Sequence, residues 1–473
     1  MGILINRYSK KNILFLLIIF ITALSLRVYN INFEDYWYDE QASFWVSDPN
    51  IPLGETLERG KNLDRGSNIV FNLILKQFFD IFDYDPNIGR YLTSIFGLLS
   101  IPALCYLSIQ IKKDQSYLLV GILSSINFYL ISYSQELRLY SLLFLLSILS
   151  IILFLKIFEN KTVSKKKYFI NLIYILFSLL GCCLHIFFFI IISSQFAYLF
   201  FNFLFEKRKL TFEFISVSSI PILYLLLMYD YLLLQIGINE FWIQQVNLDF
   251  FINFFFSRFF GSKIMGLIYL MSFFYLLYIN KKIIFKFNSK YFLLILIVFF
   301  SYFLPLIYSI FQKPILTDRY IIFVLAPIFI LISIFILNIK QIKIKYALLF
   351  IILSSSLTNN YIEIFEREKS KPEFRKSLKY ISDSNVKNVM LMANNDINEK
   401  ITINYSKNIL ATKMKNINFT SSKSNYSNLE KIWLICYKPI NNFNCSPETY
   451  NFLNWSVNDS VEYKLINSTL YTK

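Results

Sequence analysis

Two adjacent carboxylates, Asp39 and Glu40, follow Tyr36-Trp37-Tyr38 in the chain. A carboxylate partly desolvated among aromatic rings has a raised proton affinity, which suits a general base. The surrounding segment, residues 27–68, is acidic along its length, with Glu34, Asp35, Asp48, Glu55, Glu58 and Asp64. The competing reading is a solvated acidic loop whose aromatics anchor at a membrane surface. A second constellation runs from Ser132 to Tyr140 and holds Glu136 and Arg138. Arginine takes phosphate oxygens bidentately, so Arg138 is a candidate anion ligand. Its alternative is a tight interhelical turn in which Glu136 and Arg138 pair locally.

His185 is the sole histidine. At membrane depth an ionisable group is a functional candidate, while a lone histidine also serves as a hydrogen-bonded packing residue. One histidine with carboxylates is compatible with a divalent metal, but no CxxC or HExxH spacing supports one. Asp318-Arg319-Tyr320 offers either a second cation for a phosphate or an interface anchor. Residues 241–245 (Phe-Trp-Ile-Gln-Gln) lie where a loop could cover a site. The chain has neither a P-loop nor a GxGxxG, so no nucleotide site is expected.

The elements that must position these groups are membrane helices. Of 473 residues, 56% are hydrophobic and 16% charged, and the mean hydropathy is +0.49. Soluble domains carry about 25% charged residues, so an ordinary soluble enzyme is excluded. Apolar runs long enough to span a bilayer begin at 12–26. They continue near 90–111, 115–133, 139–156, 168–184, 186–205, 211–235, 263–279, 291–311, 320–338 and 345–361. The expected fold class is therefore an all-α polytopic membrane domain of about eleven spans over 1–362, with the N-terminus inside. Residues 69–82 are apolar but short and carry Lys76 and Asp80, as an interfacial helix would.

The charges orient these spans. The expected inner loops hold Arg7, Lys10, Lys11, the Lys112-Lys113 pair, Lys156, Lys161, Lys165–Lys167, Lys207–Lys209, Lys281, Lys282, Lys286, Lys290, Lys340, Lys343 and Lys345. Only Asp114, Glu159, Glu206 and Glu213 oppose them there, and the difference equals the whole net charge of +16. The basic balance is thus a topology signal rather than a nucleic-acid footprint. It places Asp39, Glu40, Arg138, His185 and Arg319 on one outer face. Residues 363–473 lose the long apolar runs and are expected to form a small α/β domain on that face. Short strands are expected at 386–393 and 432–437, and a helix at 373–382. Cys436 and Cys445 could be disulfide-bonded there or remain two reduced thiols.

The order of these motifs resembles the polytopic GT-C glycosyltransferases of the protein O-mannosyltransferase type and their bacterial relatives, the aminoarabinose transferases. Tyr38-Asp39-Glu40-Gln41-Ala42 resembles the family's Asp-Glu-Ala element, and Arg27 ends the first span as in the family. Asn87 to Leu92, with Gly97-Leu98, resembles its arginine-containing second span. Tyr133 to Tyr140 is close to the pattern YSQEARMY. His185 falls where many members have Thr-His-Tyr, Arg319-Tyr320 resembles the Arg-Tyr before a late span, and Pro372 to Arg375 resembles the element opening the outer domain. One departure is clear. Asp64 is retained, but the His-Pro-Pro that follows an acidic residue in many members is absent from 65–71. No metal site or acceptor geometry is therefore carried over to that loop.

The resemblance implies an inverting transferase that moves a sugar from a polyprenyl-phosphate donor in the outer leaflet to a glycan, lipid or protein acceptor. Asp39 and Glu40 would be catalytic, and Arg138, Arg319 and Arg90 would bind the donor phosphate. Asp64, Glu136, Tyr140, His185 and Tyr320 would support the acceptor or the site. A bacterial inner membrane is the expected location, with the C-terminal domain outside. The alternatives from other classes are a transporter or flippase of lipid-linked sugars, and an assembly protein whose outer domain does the work.

Overall fold

The computed structural model describes residues 10–64, 68–160, 164–236, 243–284, 286–287, 289–392, 396–410, 417–420, 429–437 and 454–473. The chain opens with helix α1 (Lys10–Val28), α2 (Tyr38–Val46), α3 (Leu53–Asp64), α4 (Ile69–Phe82) and α5 (Pro86–Ile111). There follow α6 (Ser116–Ser125), α7 (Phe128–Ser134), α8 (Tyr140–Glu159), α9 (Lys165–Leu184), α10 (Phe189–Glu206) and α11 (Thr211–Ile236). Then come α12 (Leu248–Asn253), α13 (Phe256–Phe260), α14 (Lys263–Ile279), α15 (Lys281–Ile284), α16 (Lys290–Phe311), α17 (Leu325–Leu337) and α18 (Ile342–Asn360). Short polar residues set many of the starts. Asp85, Ser164, Ser262 and Ser289 each accept a backbone N–H of the first helical turn.

Among the described residues nine helices are long and apolar enough to cross a membrane. The expected span at 115–133 is instead a pair, α6 and α7, bent by 57°. Asn127 explains the break. Its side chain caps α7 by accepting Leu130 N–H at 3.0 Å, and its amide donates to Phe259 O at 2.8 Å. Counting that pair gives ten, and α14 is a shorter apolar helix. The chain is therefore an integral membrane protein with fewer unbroken spans than eleven.

The helix α17 is the axis of the bundle, with Leu325 to Ile336 all buried, while α1 and α11 leave most of their length at the periphery. A helix that is apolar all round belongs inside. Polar side chains link helices where lipid offers no partner. Tyr174 Oη donates to Gln195 at 2.5 Å, and Gln195 donates to Ser150, which bonds Ser178. Gly97 lets α5 approach α7, because a Cβ there would sit 2.0 Å from Ser134 Oγ.

At one end of the bundle sits a small sheet domain with α19 (Phe374–Asp383) and α20 (Asp396–Leu410). Its strands are β1 (Asn388–Met392), β2 (Asn418–Thr420), β3 (Lys431–Tyr437), β4 (Ser456–Tyr463) and β5 (Ile466–Thr472), in the order β2-β1-β3-β5-β4. β1 runs parallel to β2 and β3, and β5 is antiparallel to β3 and β4. Six of the seven β3 residues are buried, as a central strand between two neighbours requires. Cys436 on β3 is disulfide-bonded, and Cys445 lies outside the described residues. The domain docks on the first loop. Tyr36 stacks on Tyr405 of α20 at 5.2 Å, Tyr36 N–H donates to Tyr405 Oη, and Tyr38 Oη donates to Asn398.

Candidate active site

Glu40 sits in the first turn of α2, and its side chain is fully buried. Its Oε1 accepts Arg90 Nε and Leu137 N–H, each at 2.8 Å. Its Oε2 accepts Arg90 Nη2 at 2.9 Å and Lys371 Nζ at 2.7 Å. Burial by itself would raise this carboxyl, but Arg90 and then Lys371 outweigh burial and hold it well below the usual carboxylate range. With the longer bond from Trp37 N–H at 3.4 Å, this buried carboxylate accepts five hydrogen bonds, all from within the protein.

Arg90, expected at the donor phosphate, is enclosed by protein groups in this structure. Its side chain is 2% exposed. Nη1 donates to the carbonyls of Ile31 (3.0 Å) and Glu34 (2.7 Å), and Nη2 also donates to Asp35 O at 3.3 Å. With the two bonds to Glu40, all five guanidinium N–H groups are used inside the protein. Arg90 therefore shapes the first loop around Glu40.

Asp39 turns the other way, since neighbours on a helix point about 100° apart. Its side chain is 31% exposed and lies between two guanidinium groups. Arg138 Nη2 is 3.8 Å away and Arg319 Nη1 3.6 Å away. Both separations exceed the roughly 2.7–2.9 Å of a charge-assisted hydrogen bond. Arg138 is fixed through other contacts, donating to Asp39 O at 3.1 Å and to Ser43 Oγ at 3.3 Å. Arg319 lies within 6 Å of the rings of Trp37, Tyr140 and Tyr320, a favourable setting for a partly desolvated cation.

The remaining expected residues gather behind this cluster. The His185 ring packs on Tyr320 at 4.6 Å, and its Nδ1 accepts Phe187 N–H at 3.2 Å. Burial, with Arg319 and Arg138 nearby, pushes the imidazole well below its usual value, so it is a neutral capping and packing group. Glu136 has a buried Oε1 with no hydrogen-bond partner, and burial pushes its carboxyl above the usual range. Asp64 ends α3, and its side chain lies outside the described part, as do residues 65–67 and 241–242. Among the described residues no three His, Cys, Asp or Glu side chains are grouped to hold a metal.

The segment 366–375 between the last long helix and α19 supplies groups that motif reading passed over. Lys371 pairs with Glu40, Arg375 Nε with Asp35 at 3.1 Å, and Arg367 with Glu34. Glu34 Oε1 also accepts the backbone N–H groups of Ser370 (2.6 Å) and Lys371 (3.1 Å). The first loop is thus not a solvated acidic segment, for Glu34, Asp35 and Glu40 are buried on a basic strap. Arg367, Lys369, Lys371 and Arg375 are interleaved with Glu366, Glu368 and Glu373, so the charge pattern of the sequence did not single them out.

The strap predicts a pH effect. Glu40 has a lowered value in the fold, so its contribution is complete above its ordinary 4.5 and is lost as pH falls through about 2. Lys371→Met should move that loss to higher pH and destabilise the protein by about 1–3 kcal/mol. Thermal unfolding of purified protein between pH 3 and 7 (roughly the range in which carboxylates titrate) measures both effects. An unchanged pH dependence would count against the Lys371–Glu40 linkage.

Comparison with solved structures places this architecture. The chain superposes on ArnT from Cupriavidus metallidurans in the apo state with a TM-score of 0.61, covering 97% of each chain at 10% identity. ArnT is an aminoarabinose transferase. The same enzyme bound to undecaprenyl phosphate gives 0.57 over 97% of each chain, also at 10% identity. The oligosaccharyltransferase AglB from Archaeoglobus fulgidus, in complex with an inhibitory peptide and a dolichol-phosphate, gives 0.50 at 11% identity. That match covers 84% of this chain and 59% of AglB. No family model matches the chain, and no curated protein matches it in sequence. The chain therefore has the fold of these transferases, with an ArnT-like membrane bundle and small sheet domain.

Proposed function

We propose that the protein is an inverting membrane glycosyltransferase that uses a polyprenyl-phosphate-linked sugar. The observation that carries this reading is the Asp39 carboxylate held between Arg138 and Arg319, partly exposed, on the side where the sheet domain sits. The likeness in fold to ArnT bound to undecaprenyl phosphate and AglB with a dolichol-phosphate supports it. The basic inner loops support a bacterial plasma-membrane orientation with this site and the sheet domain outside.

In this reading the two guanidinium groups bind the donor phosphate. Asp39 takes the proton of the acceptor nucleophile. The nucleophile's electron pair forms the new bond at the anomeric carbon, on the face opposite the phosphate. The anomeric carbon–oxygen bond breaks, and its electrons leave on the polyprenyl phosphate. That leaving group gains one negative charge, which Arg138 and Arg319 stabilise more strongly than they stabilise the donor. Glu40 and Arg90 hold the loop that aims Asp39. Tyr140, Tyr320 and His185 back Arg319, and Glu136 adjoins the same pocket of charge.

The test is transfer from a panel of polyprenyl-phosphate sugars by purified protein. Arg138→Lys and Arg319→Lys should each lower kcat/KM for the donor by about 10–100-fold, since lysine cannot hold phosphate bidentately. Translocation of the lipid-linked sugar across proteoliposomes, with no transfer by any donor, would replace this reading with that of a flippase.

A further inference from the structure

Glu136 lies in the turn between α7 and α8. The main chain of this turn is held. Leu137 N–H donates to Glu40 Oε1 at 2.8 Å, and Arg138 N–H donates to Glu136 O at 2.7 Å. The Glu136 carboxyl is not held in the same way. Its Oε1 is buried and has no hydrogen-bond partner among the described residues. Burial is the largest influence on this carboxyl and raises its proton affinity. The charges acting on it are, in falling order, Lys371 of the strap, Glu40 of α2, Arg138 of its own turn and Arg319 before α17. Tyr133 of α7 adjoins it, and Asp318 acts on that tyrosine as well. Asp39 and the neutral His185 share the two arginines.

Lys371 thus acts on two carboxyl groups in unlike surroundings. Glu40 accepts bonds from Arg90, Lys371 and two backbone N–H groups, and it is ionised. Glu136 Oε1 accepts none. An ionised carboxylate with a buried, unbonded oxygen is costly. Where two carboxyl groups share one site, the less solvated one takes the proton. That group is Glu136. In the transferase reading its neighbours Arg138 and Arg319 hold the lipid phosphate. A sugar-linked phosphodiester carries one negative charge, and the free lipid phosphate carries close to two at neutral pH. Replacing product by fresh donor therefore changes the charge beside these arginines by one unit. Ionisation of Glu136 changes it by the same amount.

We propose that Glu136 is a specificity-determining residue of the phosphate site, which tells the free lipid phosphate from the sugar-linked donor. Protonated, it leaves Arg138 and Arg319 to the doubly charged leaving phosphate. Ionised, it competes for them, loosens that phosphate and lets the singly charged donor replace it. The one bond exchanged is the carboxyl O–H, whose proton passes to and from water. Asp39 remains the base for the acceptor. The proposal rests on the transferase reading and adds how the site exchanges product for donor. Its sign follows from linkage. A bound dianion raises the proton affinity of Glu136 further, so binding takes up a proton. The gain in affinity is complete at low pH and is lost as pH rises through the value Glu136 has in the complex.

The experiment measures undecaprenyl phosphate binding to the full chain in detergent between about pH 5.5 and 9. It compares the wild type with Glu136→Gln, Glu136→Asp and Asp39→Asn. Glutamine keeps the neutral form at every pH, and the ratio of its affinity to that of the wild type cancels the ionisation of the phosphate itself. That ratio should rise with pH by about 5–150-fold, the usual span of coupling between two sites. Glu136→Asp and Asp39→Asn should keep the wild-type trend. A second measurement needs no glutamine variant. Above about pH 7.5 the phosphate is fully ionised. There the wild-type preference for it over undecaprenyl methyl phosphate, singly charged at every pH, should fall. A constant ratio, or a preference that holds or grows above that pH, overturns the proposal. So does a pH trend that survives Glu136→Gln and vanishes in Asp39→Asn, which would assign the proton to Asp39. In each of these cases the lipid phosphate still binds, and only the role of Glu136 falls. If it binds at no pH, the transferase reading falls as well.

Discussion

Asp39→Asn is expected to leave the protein folded and to lower sugar transfer by about 10²–10⁴-fold, the usual share of a general base. The substitution is nearly isosteric. Arg138 donates to the Asp39 backbone carbonyl, and that contact survives. What disappears is the proton acceptor and one negative charge between the guanidinium groups of Arg138 and Arg319. The same change should therefore bind polyprenyl phosphate at least as tightly as the wild type. Labelled-sugar transfer, lipid-phosphate binding and thermal unfolding, measured on one preparation, separate these effects. Wild-type transfer by the variant would remove Asp39 as the base. Loss of lipid binding together with activity would show that the carboxylate serves the donor site instead.

Arg90→Met should act on stability rather than on donor affinity. It leaves buried Glu40 with Lys371 as its charged partner and strips the carbonyls of Ile31, Glu34 and Asp35 of their Arg90 donor. Breaking a buried ion pair from one side costs about 3–5 kcal/mol, because the remaining charge stays desolvated. A phosphate ligand would behave differently, raising the donor KM at unchanged stability. The thermal midpoint and donor KM of Arg90→Met thus distinguish the two roles. An unchanged midpoint with a raised KM would return Arg90 to the donor site.

The strap also changes how the sheet domain is probed. Removing residues 363–473 would take Arg367, Lys371 and Arg375 from Glu34, Glu40 and Asp35. Three buried carboxylates would lose partners, so that deletion could not isolate a recognition role.

Much of the architecture was legible in the chain itself. Apolar runs of bilayer length dictate helices, because lipid offers the backbone no other partner. Alternating basic loops carry an expected orientation. The motif residues Asp39, Arg138, His185 and Arg319 stood out by type and spacing, and the fold brings them together. The break at Asn127 was not legible, because its amide bonds a carbonyl of Phe259, more than a hundred residues away.

The sequence by itself determined a polytopic helical membrane protein with a small C-terminal α/β domain, and it singled out carboxylates and arginines as a candidate cluster. Only the tertiary structure decided which carboxylate of that cluster is buried. Asp39 and Glu40 are neighbours of the same chemical type, and no local pattern says which is buried. One step along α2 turns Glu40 toward two N–H groups of Arg90 and the reach of Lys371, and turns Asp39 toward Arg138 and Arg319. The physical reason is that burial and charge pairing depend on partners 50 to 331 residues away, which only the folded chain brings together.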